Sequence, residues 1–431
     1  MIQENLTGKK ILLVGGINPT ADLIELAHRN GVTVGVADYN KGTYVKSLAD
    51  YVHDINAYDI EAMAELYRAE GYDGIIYNFN ERLGPVVSSL GERLGIPVPY
   101  TVEQLRMSTD KKYFKHVCME YGVPVPCEYV ITSVEDIYAG DMEYPVIIKP
   151  VDSASSTGVS PCFNKEELAA GFEKAMKASK KGDVIVEQYL PYEEINVTYI
   201  AQDGDIQLAA IHDRYFNTSQ EGVIRVPDLY IYPSRYTDLY LKKYDRLIID
   251  MLRGIGVKNG SLFMQAIVHD NKIYFYEAGM RLNGCKTYQI LEYENEYNTF
   301  EHLMLLALTG SMGEYCRFDP RFGKWYATVN VLGEPGAKIA RIEGVKALET
   351  YPWLIHIARR YESGDTIPAD SAGTLMQDTT RIHVAADTKE ELIQRINKVN
   401  ELYKIYDIHD RNVILTPHDL DEIFQGLDYD L

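Results

Sequence analysis

Cysteine is scarce in this chain of 431 residues: the five present are Cys118, Cys127, Cys162, Cys285 and Cys316. Their number is odd and no two stand as Cys-x-x-Cys, which excludes a zinc site of that kind and fits a reducing compartment. The N-terminus lacks a basic start followed by an apolar core, and no run of about 18 apolar residues occurs, so no membrane partner is expected and the cytoplasm is the expected location. Positive charge is also short. With 43 Lys and Arg against 63 Asp and Glu, the formal net charge of -20 argues against nucleic acid or an anionic membrane as the main partner. Internal repeats and low-complexity segments are absent from the sequence.

What remains is an ordinary globular composition, 46% apolar and 25% charged, in a chain too long for a single core; two to four domains are expected. Residues 9–100 alternate strand-like and helix-like stretches. Residues 10–16, 32–38 and 74–78 read as strands, and 21–30 and 57–70 as helices, a pattern that implies a parallel sheet. Asp38 after a glycine turn suggests a dinucleotide site. The turn Gly15-Gly16-Ile-Asn-Pro-Thr, however, lacks Gly-x-Gly-x-x-Gly, so a nicotinamide cofactor is not expected. Residues 101–121 read as helical, with Ser108-Thr109-Asp110 as a cap ahead of Lys111. Many of the 34 tyrosines lie between 188 and 297, where most are expected to pack as half-buried amphipathic side chains.

The chemistry-bearing stretch is Tyr144-Pro-Val-Ile-Ile-Lys149-Pro-Val-Asp-Ser-Ala-Ser-Ser-Thr-Gly158. An apolar strand delivers a lysine and runs into a loop of small hydroxylated residues, whose N–H groups can close over phosphate oxygens. The loop is not a Walker A motif. Three pieces follow in order: Val184-Ile-Val-Glu187-Gln188-Tyr-Leu190, then Glu193-Glu194, then Gln265 with Glu277 and Arg281. Residues 261–277 read as a hairpin with Asp270-Asn271 near its turn. The separation of Gln265 and Glu277 is even, with the tip midway, which sets both on one face as oxygen donors suited to Mg²⁺. Glu193 and Glu194 are neighbours on a strand and so point to opposite faces. The cations Arg214 and Arg235 are candidates for holding a carboxylate, and His212 reads as structural.

This ordered set resembles the ATP-grasp family of ATP-dependent ligases over about residues 9–310, and loosely beyond. The resemblance implies a multidomain α/β and α+β fold: a Rossmann-like N-terminal layer (1–100), an entry helix and small lid subdomain (101–190), a large subdomain with the metal site (191–315), and a C-terminal α+β lobe (316–431). It implies an enzyme that converts a carboxylate to an acyl phosphate and joins it to an amine, with ATP and Mg²⁺, or Mn²⁺, as cofactors. Carboxylation, carbamoyl-phosphate-like chemistry and nucleotide binding without turnover are the alternatives. The expected partners are a small-molecule carboxylate and amine, and a second copy in a homodimer. By the same resemblance Lys111 and Lys149 would reach the ATP phosphates under the loop of Ser153, Ser155, Ser156, Thr157 and Gly158. Glu187, Gln188 and Leu190 would meet the adenine, Glu194 or Glu193 the ribose, and Gln265 and Glu277 the metal. Lys149 and Arg281 would act in catalysis, Arg281 on the transferring phosphoryl group. The family's Glu-x-Asn-x-Arg ending is Glu277-Ala-Gly279-Met-Arg281 here, so a third oxygen ligand is missing unless Asn283 supplies it.

Overall fold

A computed structural model describes residues 6–152, 158–190, 193–217 and 226–425. Strands β1 (Lys10–Val14), β2 (Thr33–Ala37), β3 (Tyr51–His53) and β4 (Gly74–Ile76) form the expected parallel sheet, in the order β3-β2-β1-β4. The edge strand β3 had no counterpart in the sequence reading. Asp38 does not face a ribose site. Its carboxylate accepts the N–H groups of Gly16 (2.8 Å) and Asn40 (2.7 Å), closing the turn after β1 from within.

Residues 101–121 form two helices rather than one, Val102–Thr109 and Lys111–Glu120. They part at Asp110, whose extended backbone (φ -135°, ψ 101°) lets its side chain cap the second helix at the N–H groups of Lys112 and Tyr113. Lys111 therefore sits in the first turn of a helix.

A small antiparallel sheet follows. It contains β5 (Glu128–Tyr129), β6 (Val146–Pro150), β7 (Ser160–Cys162) and β8 (Val184–Gln188) in the order β5-β8-β6-β7, backed by the helix Lys165–Ala178. The largest sheet has eight strands in the order β13-β12-β9-β10-β11-β14-β17-β16. These are β9 (Glu193–Gln202), β10 (Asp205–Phe216), β11 (Pro227–Tyr232), β12 (Gly260–His269), β13 (Lys272–Gly279), β14 (Trp325–Leu332), β16 (Leu354–Arg359) and β17 (Asp378–Ala386). A separate two-stranded ribbon pairs β15 (Ile339–Glu343) with β18 (Lys404–Asp407). Among the described residues no helix is long and apolar enough to cross a membrane.

Strand alternation gives the large sheet two unlike faces. One face carries Ile195, Val197 and Tyr199 into one core, and Leu229, Ile231, Val329, Ile382 and Val384 into another. The opposite face is polar. A single line of cross-strand partners runs Glu194, Arg214, Tyr230, Thr328, His383, His356. A neighbouring line joins Glu277, Gln265, Asn196 and His212. Buried polar residues in such number on one sheet face form a floor for ligand or water, because each buried polar group needs a partner.

Candidate active site

The hairpin of β12 and β13 turns on Asp270 and Asn271, both left-handed (φ 49° and 55°), with His269 opposite Lys272. A two-residue turn of this type would by itself put Gln265 opposite Tyr276. A bulge between Gln265 and Ala266 adds one residue to β13 and brings Glu277 opposite Gln265 instead. The expected pairing is therefore present, but it is produced by a bulge and not by a midway tip. Tyr276, the extra residue, became a hub that the sequence reading missed. Its hydroxyl lies 2.7 Å from Glu194 Oε2, 2.8 Å from Arg214 Nη1 and 2.9 Å from the Gln265 amide. Its ring lies 5.8 Å from Lys149 Nζ.

Lys149, at the end of β6, places Nζ 2.5 Å from Glu187 Oε2. The other oxygen of Glu187 pairs with Lys115, whose Nζ also reaches Glu128 at 2.7 Å. The result is an alternating chain Lys149–Glu187–Lys115–Glu128 in which the Glu187 side chain is only 2% exposed. Burial would raise the Glu187 pKa, but the two ammonium groups outweigh it and hold the carboxyl below its usual range. Lys115 stands one helical turn after Lys111, an i, i+4 spacing that could have flagged it. Burial lowers the Lys111 pKa and the adjacent Lys149 adds to this, whereas Glu277 and Glu187 oppose it. Lys111, Lys149, Glu187 and Glu277 thus share one electrostatic neighbourhood.

Glu194 is buried, and its Oε2 pairs with Arg214 and Tyr276. Burial raises its pKa and Glu277 adds to the rise, against the pull of Arg214 and the phenol. Glu193 points elsewhere, to Arg235 and Tyr236, and its side chain is half exposed. Gln188 is half-buried and Leu190 buried at the end of β8. Gly158 has φ +78° and packs against the Pro150 ring. Ser153, Ser155, Ser156 and Thr157 lie outside the described residues.

Two readings of the sequence are corrected. Arg214 and Arg235 already have carboxylate partners within the chain: Arg214 has Glu194, and Arg235 has Asp213 at 3.3 Å with Tyr215 OH at 2.5 Å. Asn283 is no substitute metal ligand. It is buried, donates to Thr198 and Thr287, and accepts the Thr287 N–H with Oδ1.

Gly279 is explained by its cross-strand partner. Its φ is not left-handed, but a Cβ there would stand 2.3 Å from the Phe263 ring. The same ring lies 5.1 Å from the Arg281 guanidinium. Arg281 Nε is in turn 2.5 Å from Glu81 Oε2 of the N-terminal layer.

Further along the polar floor is Arg381, also missed. It is buried, pairs with Asp378, and leaves Nε without a hydrogen bond among the described residues. Arg360 donates to the Asp378 main-chain carbonyl, so two guanidinium groups meet Asp378, Arg381 at its carboxylate and Arg360 at its backbone. His212 packs between Tyr230 and Tyr232 with Cys285 Sγ 3.7 Å from Nε2, and burial holds it neutral, consistent with a structural part.

With this geometry in place, comparison with known proteins identifies the domain that holds it. Residues 142–289, which hold Lys149, the β8 linker and the hairpin, match the family model of the ATP-grasp domain. Those residues form an ATP-grasp domain. The fold of the chain is similar to that of the L-amino acid ligase from Bacillus licheniformis (TM-score 0.75, 14% identity, 93% of this chain and 99% of that one). It is also similar to the biotin carboxylase domain dimer of the Hydrogenobacter thermophilus 2-oxoglutarate carboxylase, a structure in complex with MgADP and bicarbonate (TM-score 0.76, 19% identity, 94% and 91%). A D-alanine–D-alanine ligase from Staphylococcus saprophyticus is 30% identical over 228 residues, which is 47% of this chain and 60% of that ligase. The chain thus spans less than two thirds of the length of that curated relative.

Proposed function

We propose that the protein is an ATP-dependent carboxylate–amine ligase. The observation that carries this reading is the convergence of Lys111 and Lys149 from the small lobe with Glu277, Gln265 and the Tyr276 hub from the large sheet. Lys111 and Lys149 would hold the triphosphate of ATP, with Glu187 and Lys115 fixing the direction of Lys149. Gln265 and Glu277 fit a divalent cation: they are cross-strand partners that offer oxygen donors on one face, and the Glu277 carboxylate has no hydrogen bond or ion pair among the described residues. No cluster of three or more His, Cys, Asp or Glu able to hold a metal occurs among those residues, so phosphate oxygens and water would complete the shell. The cation would supply neutralisation of charge developing on the phosphoryl group.

The acid would lie over the polar floor, where Arg381, whose Nε has no hydrogen bond among the described residues beside its pair with Asp378, is the guanidinium with a buried donor left for a carboxylate. A carboxylate oxygen attacks the γ-phosphorus as the bond to the bridging oxygen of ADP breaks. The amine then attacks the acyl carbon, phosphate leaves, and the amine gives up a proton. Arg281 stands at the seam between the N-terminal layer and the large sheet, where its charge is shared with Glu81.

A second reading, nucleotide binding without turnover, draws support from Phe263 and Asn283, which leave the position of the third oxygen ligand unfilled. ADP release that requires both a carboxylate and an amine supports the ligase; nucleotide binding with no ADP for any pair supports the binder.

A further inference from the structure

The Tyr276 hydroxyl has three polar neighbours but one proton and two lone pairs. Arg214 Nη1, a donor only, takes one lone pair. Glu194 Oε2, at 2.7 Å and paired with that same arginine, takes the proton. The third neighbour, Gln265 Oε1 at 2.9 Å, would be a second acceptor with no proton left for it, so the amide must turn over and donate. An amide can do so because a half-turn exchanges its oxygen and its NH2 group. With Nε2 on the phenol, Oε1 is turned away from it, toward the space Gln265 shares with Glu277 across the hairpin. A glutamate at 265 has no proton to donate and would set its lone pairs against those of the phenol. The amide is thus the side chain that satisfies Tyr276 and still offers one oxygen to a cation.

We infer that Tyr276 is a positioning residue for the divalent cation: it holds the Gln265 NH2 group so that Gln265 Oε1, with Glu277, faces the metal. The inference rests on the reading of this site as one for a metal–nucleotide complex. It also gives the bulge a purpose, since the bulge alone puts Tyr276 and Glu277 together beside Gln265.

The test is a titration of the protein–ADP complex with Mn²⁺, free Mn²⁺ being counted by electron paramagnetic resonance. Tyr276→Phe frees the amide to turn and is expected to weaken Mn²⁺ binding about 10- to 100-fold, the usual loss when a ligand's supporting partner is removed. Gln265→Glu in that background is expected to restore most of the affinity, because a carboxylate has no wrong end. Gln265→Leu should lose as much as Tyr276→Phe, and combining the two should cost nothing more. Circular dichroism checks that each variant folds, and the Gln265→Leu pair carries the test if Tyr276→Phe alone does not. A Tyr276→Phe affinity within about twofold of the parent, losses that add, or a loss that Gln265→Glu leaves unrepaired would overturn the inference. A parent that binds ADP but not Mn²⁺ with it overturns the inference alone. A parent that binds no adenine nucleotide overturns the proposed function with it.

Discussion

Among single residues, Gly279 is the one whose replacement the structure forecasts most sharply. Its backbone would accept an asparagine, but the Phe263 ring occupies the space for a Cβ. Gly279→Asn is expected to cost about 1–3 kcal/mol by overpacking, read as a fall in the denaturation midpoint. Phe263→Ala should recover part of that loss in the double variant. The two phosphate-side charges should separate kinetically. Lys149→Ala removes a charge-assisted contact made before and during reaction, and should weaken nucleotide binding about 10- to 100-fold. Glu277→Gln weakens the cation's hold where charge develops, and should lower turnover on the order of 100-fold with a smaller change in nucleotide affinity. Equal turnover of Glu277→Gln and the parent would rule out its part in metal binding. Most of these residues were legible because their types and order are constrained by phosphate and cation chemistry. Tyr276 and Arg381 were not, because their parts depend on partners that arrive from other strands, and Lys115 left only its i, i+4 spacing from Lys111 as a sign. Asn283 misled because a sequence shows an oxygen atom but not the Thr287 amide that already uses it.

Among the elements, the strand β10 presents a titrating group on the face away from the polar floor. Asp213 is buried, and burial raises its pKa to about 6 against the pull of Arg235 and Ser234. The folded state therefore holds a proton that the unfolded chain, with an ordinary value of 3.8, releases earlier. That contribution to stability is complete below about pH 4 and is lost as pH rises through about 6, a change of about 3 kcal/mol at most. Asp213→Asn should remove this slope, so the parent-minus-variant stability should fall between pH 4 and 6 in urea titrations and stay level above. A difference that is flat across this range would contradict the assignment. The parallel layer could be read from its strand–helix alternation, whose period is local. The continuity of the large sheet across β11, β14 and β17 could not, because it joins segments about 50 to 100 residues apart in sequence that have no local signature. The hairpin register was right for a different reason, since a bulge leaves no mark in the composition of a strand.

At the scale of the whole molecule, three regions meet at one carboxylate. Asp22 Oδ2, on the helix Ala21–Arg29 of the N-terminal layer, receives Lys286 Nζ (2.7 Å), Tyr288 OH (2.5 Å) and Gln289 Nε2 (3.2 Å), and lies 3.6 Å from His356 Nε2 of β16. Lys286 is left-handed (φ 55°) and almost fully buried, so the contact is held against backbone preference. Burial keeps His356 neutral, with a pKa near 4. Lys286→Met strands Asp22 and is expected to cost about 3 kcal/mol and to raise hydrogen exchange along the seam of that helix first. Unchanged exchange there would show that the clasp does not hold the layer.

The same scale contains the central claim, that the lysines of the small lobe and the hairpin of the large sheet work together on a carboxylate. Hydroxylamine supplied as the amine converts an acyl phosphate to a stable hydroxamate, so a panel of carboxylates with Mg-ATP and hydroxylamine reads the activated acid directly. The account expects hydroxamate and ADP in equal amounts for at least one acid, and both products formed far more slowly by Lys149→Ala at limiting ATP and by Glu277→Gln. AMP and pyrophosphate in place of ADP, or hydroxamate formed as well by both variants as by the parent, would contradict it.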